Sequence, residues 1–262
     1  MSANLQSDRL VDAFAAVPRE AFLGRPPWHI LGDRAAVRGY VKTANPALLN
    51  HNVLVAIDPR RRLNNGLPSF LAWLIELLEI RKGDTVYHVG CGTGYYSAIM
   101  AELTGRSGRV VALEVDKALA NKARRNLRSY PQVEVLGADG FAHNPGPVNA
   151  VLVNAGVTHL SPVWLEILKA KGRIVVPLTS SNQVGRILKA TRNGSNWTAG
   201  FVGHVGIYPC MGGRSKAAEA LLGKAFAGGG AEKVRSLRLD EHKRNRDCWL
   251  HGQGLCLSRR RV

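Results

Sequence analysis

The sequence predicts an α/β protein with a doubly wound, mostly parallel sheet that ends in an antiparallel hairpin. Short apolar strands alternate with helical patterns between residues 84 and 177, and the turn Asn193-Gly194 joins two later β-rich runs. Apolar strands separated by helices are typical of βαβ units, whose parallel sheet is covered on both faces. Two strands joined through Asn-Gly form a hairpin and are therefore antiparallel.

Each predicted element follows from its own pattern of apolar residues and turn signals. The expected strands of the sheet are 84–89, 109–115, 133–136, 149–153 and 173–177, then the hairpin strands 184–191 and 201–208. Isolated strands are expected at 52–57, 234–239 and 248–257, with irregular chain over the rest of 17–68. The expected helices are 9–16, 69–80, 95–103, 117–129, 162–170 and 215–226.

The chain divides by composition into three predicted regions: 1–70, 71–210 and 211–262. Its 262 residues are enough to bury a large core without metals or disulfides. Residues 186–262 contain 15 Lys and Arg against five Asp and Glu, and so supply ten of the 17 net positive charges. Such a basic stretch could attract nucleic acid or simply keep the protein in solution.

Compartment and metal content are predicted from what the sequence lacks. No apolar run reaches the roughly 18 residues that a membrane span needs, and the first 20 residues contain no secretory apolar core. We therefore expect a cytoplasmic protein that does not associate with a membrane. The four cysteines show no CxxC spacing, and the order His242, Cys248, His251, Cys256 matches no known ligand pattern, so we predict reduced thiols and no metal.

A glycine-rich loop follows the first strand of the predicted sheet. Gly90, Gly92 and Gly94 let the backbone approach a ligand, and the helix that begins near Tyr95 directs its positive end toward it. A dinucleotide fingerprint GxGxxG would need glycine at 95 or 97, where Tyr and Ser stand instead. The GxGxG spacing favours the methyltransferase variant of the Rossmann-like fold, with S-adenosyl-L-methionine as cofactor.

Two carboxylates occupy the positions that a nucleoside needs. Glu114 ends the second strand and can accept hydrogen bonds from both ribose hydroxyls, while Asp139 follows the third strand and can face the adenine amino group. Gly140 would allow close approach of the nucleoside. The complete predicted cofactor set is His88, Gly90, Cys91, Gly92, Thr93, Gly94, Glu114, Asp139, Gly140 and Asn154.

At these motifs the chain resembles the protein-L-isoaspartate O-methyltransferases, over about residues 9–178. The shared features are the Val-Pro-Arg segment 17–22, the GxGxGYY loop, Glu114, the turn at 138–140, Asn154-Ala155-Gly156 and the strand 172–177. The resemblance implies carboxyl methylation of isoaspartyl residues in proteins or peptides. Gly66 stands where the family has a serine that seats the isoaspartyl carboxylate, His88 where it has an acid, and Asn149 where it has aspartate.

An acceptor carboxylate needs no general base, because with an unperturbed pKa of about 4 it is already ionised near neutral pH. Catalysis is then a matter of orientation, and Asn64, Asn65 and Gly66 are our candidates for contacting the acceptor through amides and backbone N–H groups.

Three other functions are weighed against this one. An amino-methylating nucleic-acid enzyme usually carries an Asn/Asp-Pro-Pro-aromatic tetrad where this chain has Asn154-Ala155-Gly156-Val157. A metal-dependent small-molecule O-methyltransferase would need an acidic cluster, which Asn149 weakens. A cofactor-binding adaptor without isoaspartyl activity is the third.

Overall fold

The computed structural model describes residues 5–31, 39–252 and 254–262. The chain forms two compact units, of which the first comprises Met1–Asp84 and Cys91–Ala138 and the second Thr85–Gly90 and Asp139–Val262. The chain passes between them three times: after Asp84, after Gly90 inside the glycine loop, and after Ala138.

The described residues form six α-helices and fourteen strands. The helices are α1 Asp8–Ala16, α2 Pro68–Glu76, α3 Tyr95–Thr104, α4 Lys117–Asn126, α5 Pro162–Glu166 and α6 Lys216–Ala227. The strands in the N-terminal part are β1 Trp28–Leu31, β2 Val41–Thr43, β3 Leu54–Asp58 and β4 Leu63–Asn64. The remaining strands are β5 Thr85–Val89, β6 Arg109–Leu113, β7 Val133–Leu136, β8 Val148–Val153, β9 Leu168–Thr179, β10 Val184–Asn193, β11 Asn196–Gly206, β12 Ser236–Arg238, β13 Cys248–Gly252 and β14 Leu255–Ser258.

The second unit contains a sheet whose strands lie in the order β13-β14-β12-β11-β10-β9-β8-β5. The pairs β5–β8 and β8–β9 are parallel, and every later pair is antiparallel. Asn193 pairs with Asn196, so the predicted turn closes the hairpin of β10 and β11. The α/β class and the antiparallel hairpin are therefore confirmed, and three further antiparallel strands extend the sheet.

The first unit combines α1–α4, the parallel pair β6–β7 and a small antiparallel sheet in the order β2-β1-β3-β4. Helix α3 is buried along almost its whole length, and Phe14 of α1 packs edge-on against Tyr95. The small sheet has its own core of Leu23, Trp28, Leu49 and Val55. We predicted irregular chain with one strand here, because strands of two to five residues give too little periodicity to recognise.

Other predictions of element limits were wrong too, and strand β11 begins at Asn196 instead of Phe201. Helix α5 ends at Glu166 instead of Ala170, because Leu168 pairs in parallel with Val148 and begins β9. The run 248–257 is a hairpin of two strands, with Gly252 and Gly254 at positive φ at its turn. Helix α2 ends at Glu76 and the next turn finishes with Glu79 at a φ of 48°.

In the described part of the chain, no helix combines the length and the apolar character that crossing a membrane requires.

Candidate functional site

The glycine loop has the backbone conformation that its sequence predicts. Gly90, Gly92 and Gly94 have φ angles of 79°, 57° and 93°, all in the region that favours glycine. Gly94 also lies against α4, where an added Cβ would be 2.7 Å from Cδ1 of Leu127. The loop therefore needs glycine for its conformation and, at Gly94, for packing.

Glu114 is bound directly to this loop. Its Oε2 accepts the N–H of Gly92 at 2.9 Å, and its Oε1 accepts the N–H of Asp116 at 3.1 Å. The backbone adds a parallel link, because Cys91 N–H donates to the carbonyl of Leu113 at 2.9 Å. Each carboxylate oxygen has two lone pairs, so Glu114 keeps acceptor capacity for two further donors. A ribose diol supplies two hydroxyl donors, and Glu114 therefore fits the role predicted for it.

Thr93 connects the loop to the segment predicted to face the methyl acceptor. Its hydroxyl accepts the side-chain amide of Asn65 at 3.4 Å, and its carbonyl accepts that of Asn126 at 2.9 Å. Thr93 is completely buried and Asn65 is 6% exposed. The acceptor-side segment and the cofactor loop are thus joined within the first unit.

Arg19, the arginine of the Val-Pro-Arg motif, is hydrogen-bonded to the segment 64–66. It is 3% exposed and donates to Oδ1 of Asn65 at 3.2 Å. It also donates to three carbonyls, those of Leu49 at 3.1 Å and of Val53 and Gly66 at 3.0 Å. Burial lowers the pKa of its guanidinium from the ordinary value. In the sequence, Arg19 stood out only as part of the motif. In the structure, its hydrogen bonds position the segment 64–66.

The donors proposed for the acceptor are used inside the protein. The N–H of Asn65 donates to Val55 at 2.8 Å, and the N–H of Gly66 donates to Oδ1 of Asn64 at 2.8 Å. Gly66 has a φ of 76°, and a Cβ there would be 2.9 Å from Cδ2 of Leu71. The prediction that Asn65 and Gly66 offer free backbone N–H groups to the acceptor is therefore revised: the segment shapes its surroundings instead.

In the second unit, Asn154 lies next to the other end of the loop. Its N–H donates to the carbonyl of Val89 at 2.8 Å, and its side-chain amide donates to that of Gly90 at 3.4 Å. A Cβ on Gly90 would be 3.4 Å from the carbonyl oxygen of Asn154. Gly90 and Asn154 are thus in contact within the second unit.

Asp139 and Gly140 stand in the same unit with different roles. Asp139 is exposed, and its Oδ1 accepts the N–H of Phe141 at 2.9 Å. Gly140 is buried, and a Cβ there would be 2.8 Å from Cγ1 of Val89. The space beside Gly140 is therefore filled by β5, so we withdraw the idea that this glycine admits the nucleoside.

The side chains of His88 and Cys91 also lie in the interior. His88 is 0% exposed within β5, and burial lowers the pKa of its imidazole to about 3, so it is neutral. Cys91 is 4% exposed, and burial raises the pKa of its thiol well above the ordinary value. Because both side chains are buried, any contact that His88 or Cys91 makes with the cofactor would come from its backbone, and this contact stays a prediction.

A segment that sequence reasoning missed, residues 209–214, packs on the end of β8. Arg214 donates to the carbonyl of Gly156 at 3.2 Å and to the hydroxyl of Thr179 at 3.0 Å. A Cβ on Gly212 would overlap the carboxylate of Asp139. The pair Gly212-Gly213 was the available signal, since two adjacent glycines permit such close packing.

Part of the C-terminal basic charge lines one groove of the second unit. Lys224, Arg244, Arg246 and Arg259 are among its lining residues, and its volume is about 290 Å³.

The fold, the glycine loop and the acidic residue bound to it define a class I S-adenosylmethionine-dependent methyltransferase. Comparison with known proteins gives the family. The sequence pattern of the protein-L-isoaspartate(D-aspartate) O-methyltransferase (PCMT) family matches residues 2–200, and the chain belongs to this family. Its cofactor is S-adenosyl-L-methionine.

Named relatives agree with this assignment. The chain is 36% identical over 138 residues to protein-L-isoaspartate O-methyltransferase 2 of Archaeoglobus fulgidus. This match covers 50% of this chain and 63% of that protein. It is 34% identical over 179 residues to the protein-L-isoaspartate O-methyltransferase of Methanopyrus kandleri, covering 66% and 70%. The match to the first relative therefore spans less than two thirds of that protein.

Solved structures support the fold. A protein-L-isoaspartate O-methyltransferase superimposes with a TM-score of 0.61 at 21% identity, covering 84% of this chain and 65% of that one. A Plasmodium falciparum structure described as a PCMT in complex with S-adenosyl-L-homocysteine gives 0.59 at 17%, covering 78% and 91%.

Proposed function

We propose that this protein transfers the methyl group of S-adenosylmethionine to the carboxylate of isoaspartyl residues in proteins or peptides. One observation carries the proposal: Asn65 of the acceptor-side segment is hydrogen-bonded to Thr93 of the cofactor loop. Both ends of that link are buried, so the two segments hold a fixed relation within the first unit.

We assign the cofactor contacts to two carboxylates, Glu114 and Asp139, and to the backbone of the glycine loop. Glu114 would accept the ribose hydroxyls, and the backbone from Gly90 to Gly94 would pass along the methionine part. Asp139 would accept the adenine amino group. Asn154, whose amide holds Gly90, would position the loop. These assignments rest on the hydrogen bonds of each unit and on the spacing of the sequence.

The chemistry asks little of the side chains beyond orientation. When bound, S-adenosylmethionine would supply an electrophilic methyl group to a carboxylate oxygen of the acceptor, and S-adenosylhomocysteine would leave. Because the acceptor is ionised near neutral pH, no side chain has to remove a proton. Arg19 and Asn65 would fix the wall of the acceptor site, and good orientation can lower such barriers by about 7–11 kcal/mol.

The test compares two forms of one peptide that differ only in an isoaspartyl or a normal aspartyl linkage. Incubation with methyl-labelled S-adenosylmethionine should label the isoaspartyl form and leave the normal form unlabelled. Binding of S-adenosylhomocysteine without turnover of either form would refute the proposal and favour the cofactor-binding adaptor.

A nucleic-acid partner stays a prediction from charge. The groove lined by Lys224, Arg244, Arg246 and Arg259 is the place where it would be tested, because phosphate contacts make binding weaken steeply with salt.

A further inference from the structure

The C-terminal extension brings four potential metal ligands together. His242, Cys248, His251 and Cys256 each offer one ligand atom, and these four atoms all lie within 4.8 Å of one another. Both cysteines are buried and neither forms a disulfide. All four residues lie beyond the stretch 2–200 that matches the family, so the cluster belongs to this extension.

The hairpin of β13 and β14 explains how a pattern without a recognisable spacing becomes a cluster. His251 lies opposite Cys256, so their side chains are on one face of the hairpin. Cys248, three residues before His251, would face the other side of a regular strand. A register shift between Cys248 and Leu250 turns it, as β-bulges do. His242 arrives from the loop between β12 and β13.

The hydrogen bonds leave ligand atoms available. His242 Nδ1 is 2.9 Å from the carbonyl oxygen of Asp240, which orients the ring and leaves Nε2 at 3.6 Å from Sγ of Cys248. Metal-binding histidines commonly have their second ring nitrogen bound in this way. Nδ1 of His251 is buried and has no hydrogen-bond partner among the described residues.

We propose that these four residues form a Cys₂His₂ site for zinc. Two thiolates and two imidazoles are the set found in tetrahedral structural zinc sites, with no position left for a water. Bond lengths of about 2.0–2.3 Å put tetrahedral ligand atoms roughly 3.3–3.8 Å apart. The side chains therefore need to close in by about 1 Å from their separations of up to 4.8 Å.

The ion would tie the loop before β13 to the β13–β14 hairpin. The strands involved are short: β12, β13 and β14 have three, five and four residues. Small units with a limited core commonly use a metal in this way. The role is structural, and it is separate from methyl transfer.

Metal content of the full chain tests the site directly. The protein is produced without a metal-affinity tag under reducing conditions and dialysed against metal-free buffer. Elemental analysis should find about one zinc ion per chain. After removal of zinc, Co²⁺ alone should give the intense visible bands of a tetrahedral site together with thiolate-to-cobalt charge-transfer absorption.

Matched variants locate the ion. Cys256→Ser should lose both the zinc and the cobalt bands. His251→Cys keeps four ligands and should keep the metal, with stronger charge-transfer absorption from the third thiolate. Cys210→Ser and His204→Ala replace a cysteine and a histidine outside the cluster. Both variants should bind zinc and Co²⁺ as the unaltered protein does.

Two results would overturn the proposal, and both are obtained with the unaltered protein, so neither requires a variant to fold. One is the absence of zinc in the unaltered protein combined with no tetrahedral cobalt spectrum. The other is a disulfide between Cys248 and Cys256 in protein kept under reducing conditions.

Discussion

At the scale of single residues, the carboxylate of Glu114 is held by two backbone N–H groups. It accepts one N–H from the glycine loop and one from Asp116, and it is only partly buried. The spacing of the sequence predicted this residue and the three loop glycines, because Glu114 and the loop each follow directly after a strand of the parallel sheet. Spacing could not show that Asn65 and Gly66 use their N–H groups internally, since those bonds depend on how β3 and β4 meet.

We expect Glu114→Ala to weaken binding of S-adenosylhomocysteine more than Asp139→Ala does. A diol gives two hydrogen bonds to one charged acceptor, and such bonds contribute about 1.5–3 kcal/mol, or roughly 10- to 150-fold in Kd. Titration calorimetry gives the order. Glu134→Ala, in which an exposed carboxylate of β7 is removed, serves as control and should bind normally. If Asp139→Ala were the weaker binder, the nucleoside would be placed wrongly.

Gly66→Ser should destabilise the protein and give no gain in activity on an isoaspartyl peptide. A side chain at a φ of 76° is strained by about 1–2 kcal/mol, and its Cβ would also press on Leu71. Gly194 has a similar φ, 66°, and nothing lies within 4 Å of a Cβ added there. Gly194→Ser therefore measures the free-energy cost of backbone strain alone. Urea denaturation should show the larger loss at residue 66. An active, fully stable Gly66→Ser protein would contradict this account.

At the scale of elements, the sequence predicted those with strong periodicity and missed those fixed by distant partners. Helices α1, α3 and α6 lie within one or two residues of their predicted limits. Helix α5 is shorter because Leu168 pairs with Val148, a contact twenty residues away in sequence that no local pattern reports. The four-stranded sheet of the first unit was missed for the same reason, since its strands are short and their partners are distant.

Arg19→Lys should loosen the connection between this small sheet and the segment 64–66. A lysine has one ammonium group in place of the planar fork and cannot reach four acceptors at once. Each buried acceptor left without a donor costs about 1–3 kcal/mol, so we expect a loss of at least about 2 kcal/mol. Chemical denaturation measures it, with Arg128→Lys, in the exposed turn after α4, as control. Equal stabilities would mean that Arg19 does not hold the segment.

At the scale of the whole molecule, the family assignment accounts for residues 2–200 and leaves the extension to its own explanation. The extension adds α6 and three antiparallel strands, and Trp249 packs there against Phe201 and Phe226. From their irregular spacing we predicted no metal at its four His and Cys residues, which a bulge and a hairpin bring together.

Binding of cofactor should raise the thermal stability of the whole protein. A ligand selective for the native state stabilises it by RT ln(1 + [L]/Kd), about 2.7 kcal/mol at a hundredfold excess over Kd. S-adenosylhomocysteine should therefore raise Tm in a concentration-dependent way, and NADH should not. A larger shift with NADH would point to a dehydrogenase.

If the transferred methyl group ends on a carboxylate, the product is a methyl ester, and its lability in base distinguishes it from other methylated products. Protein aged to accumulate isoaspartyl residues is incubated with methyl-labelled S-adenosylmethionine and the purified enzyme. We expect label that is lost as methanol in mild base, and much less label with Glu114→Ala. Label that survives base would show that the methyl group is not on a carboxylate and would contradict the proposed function.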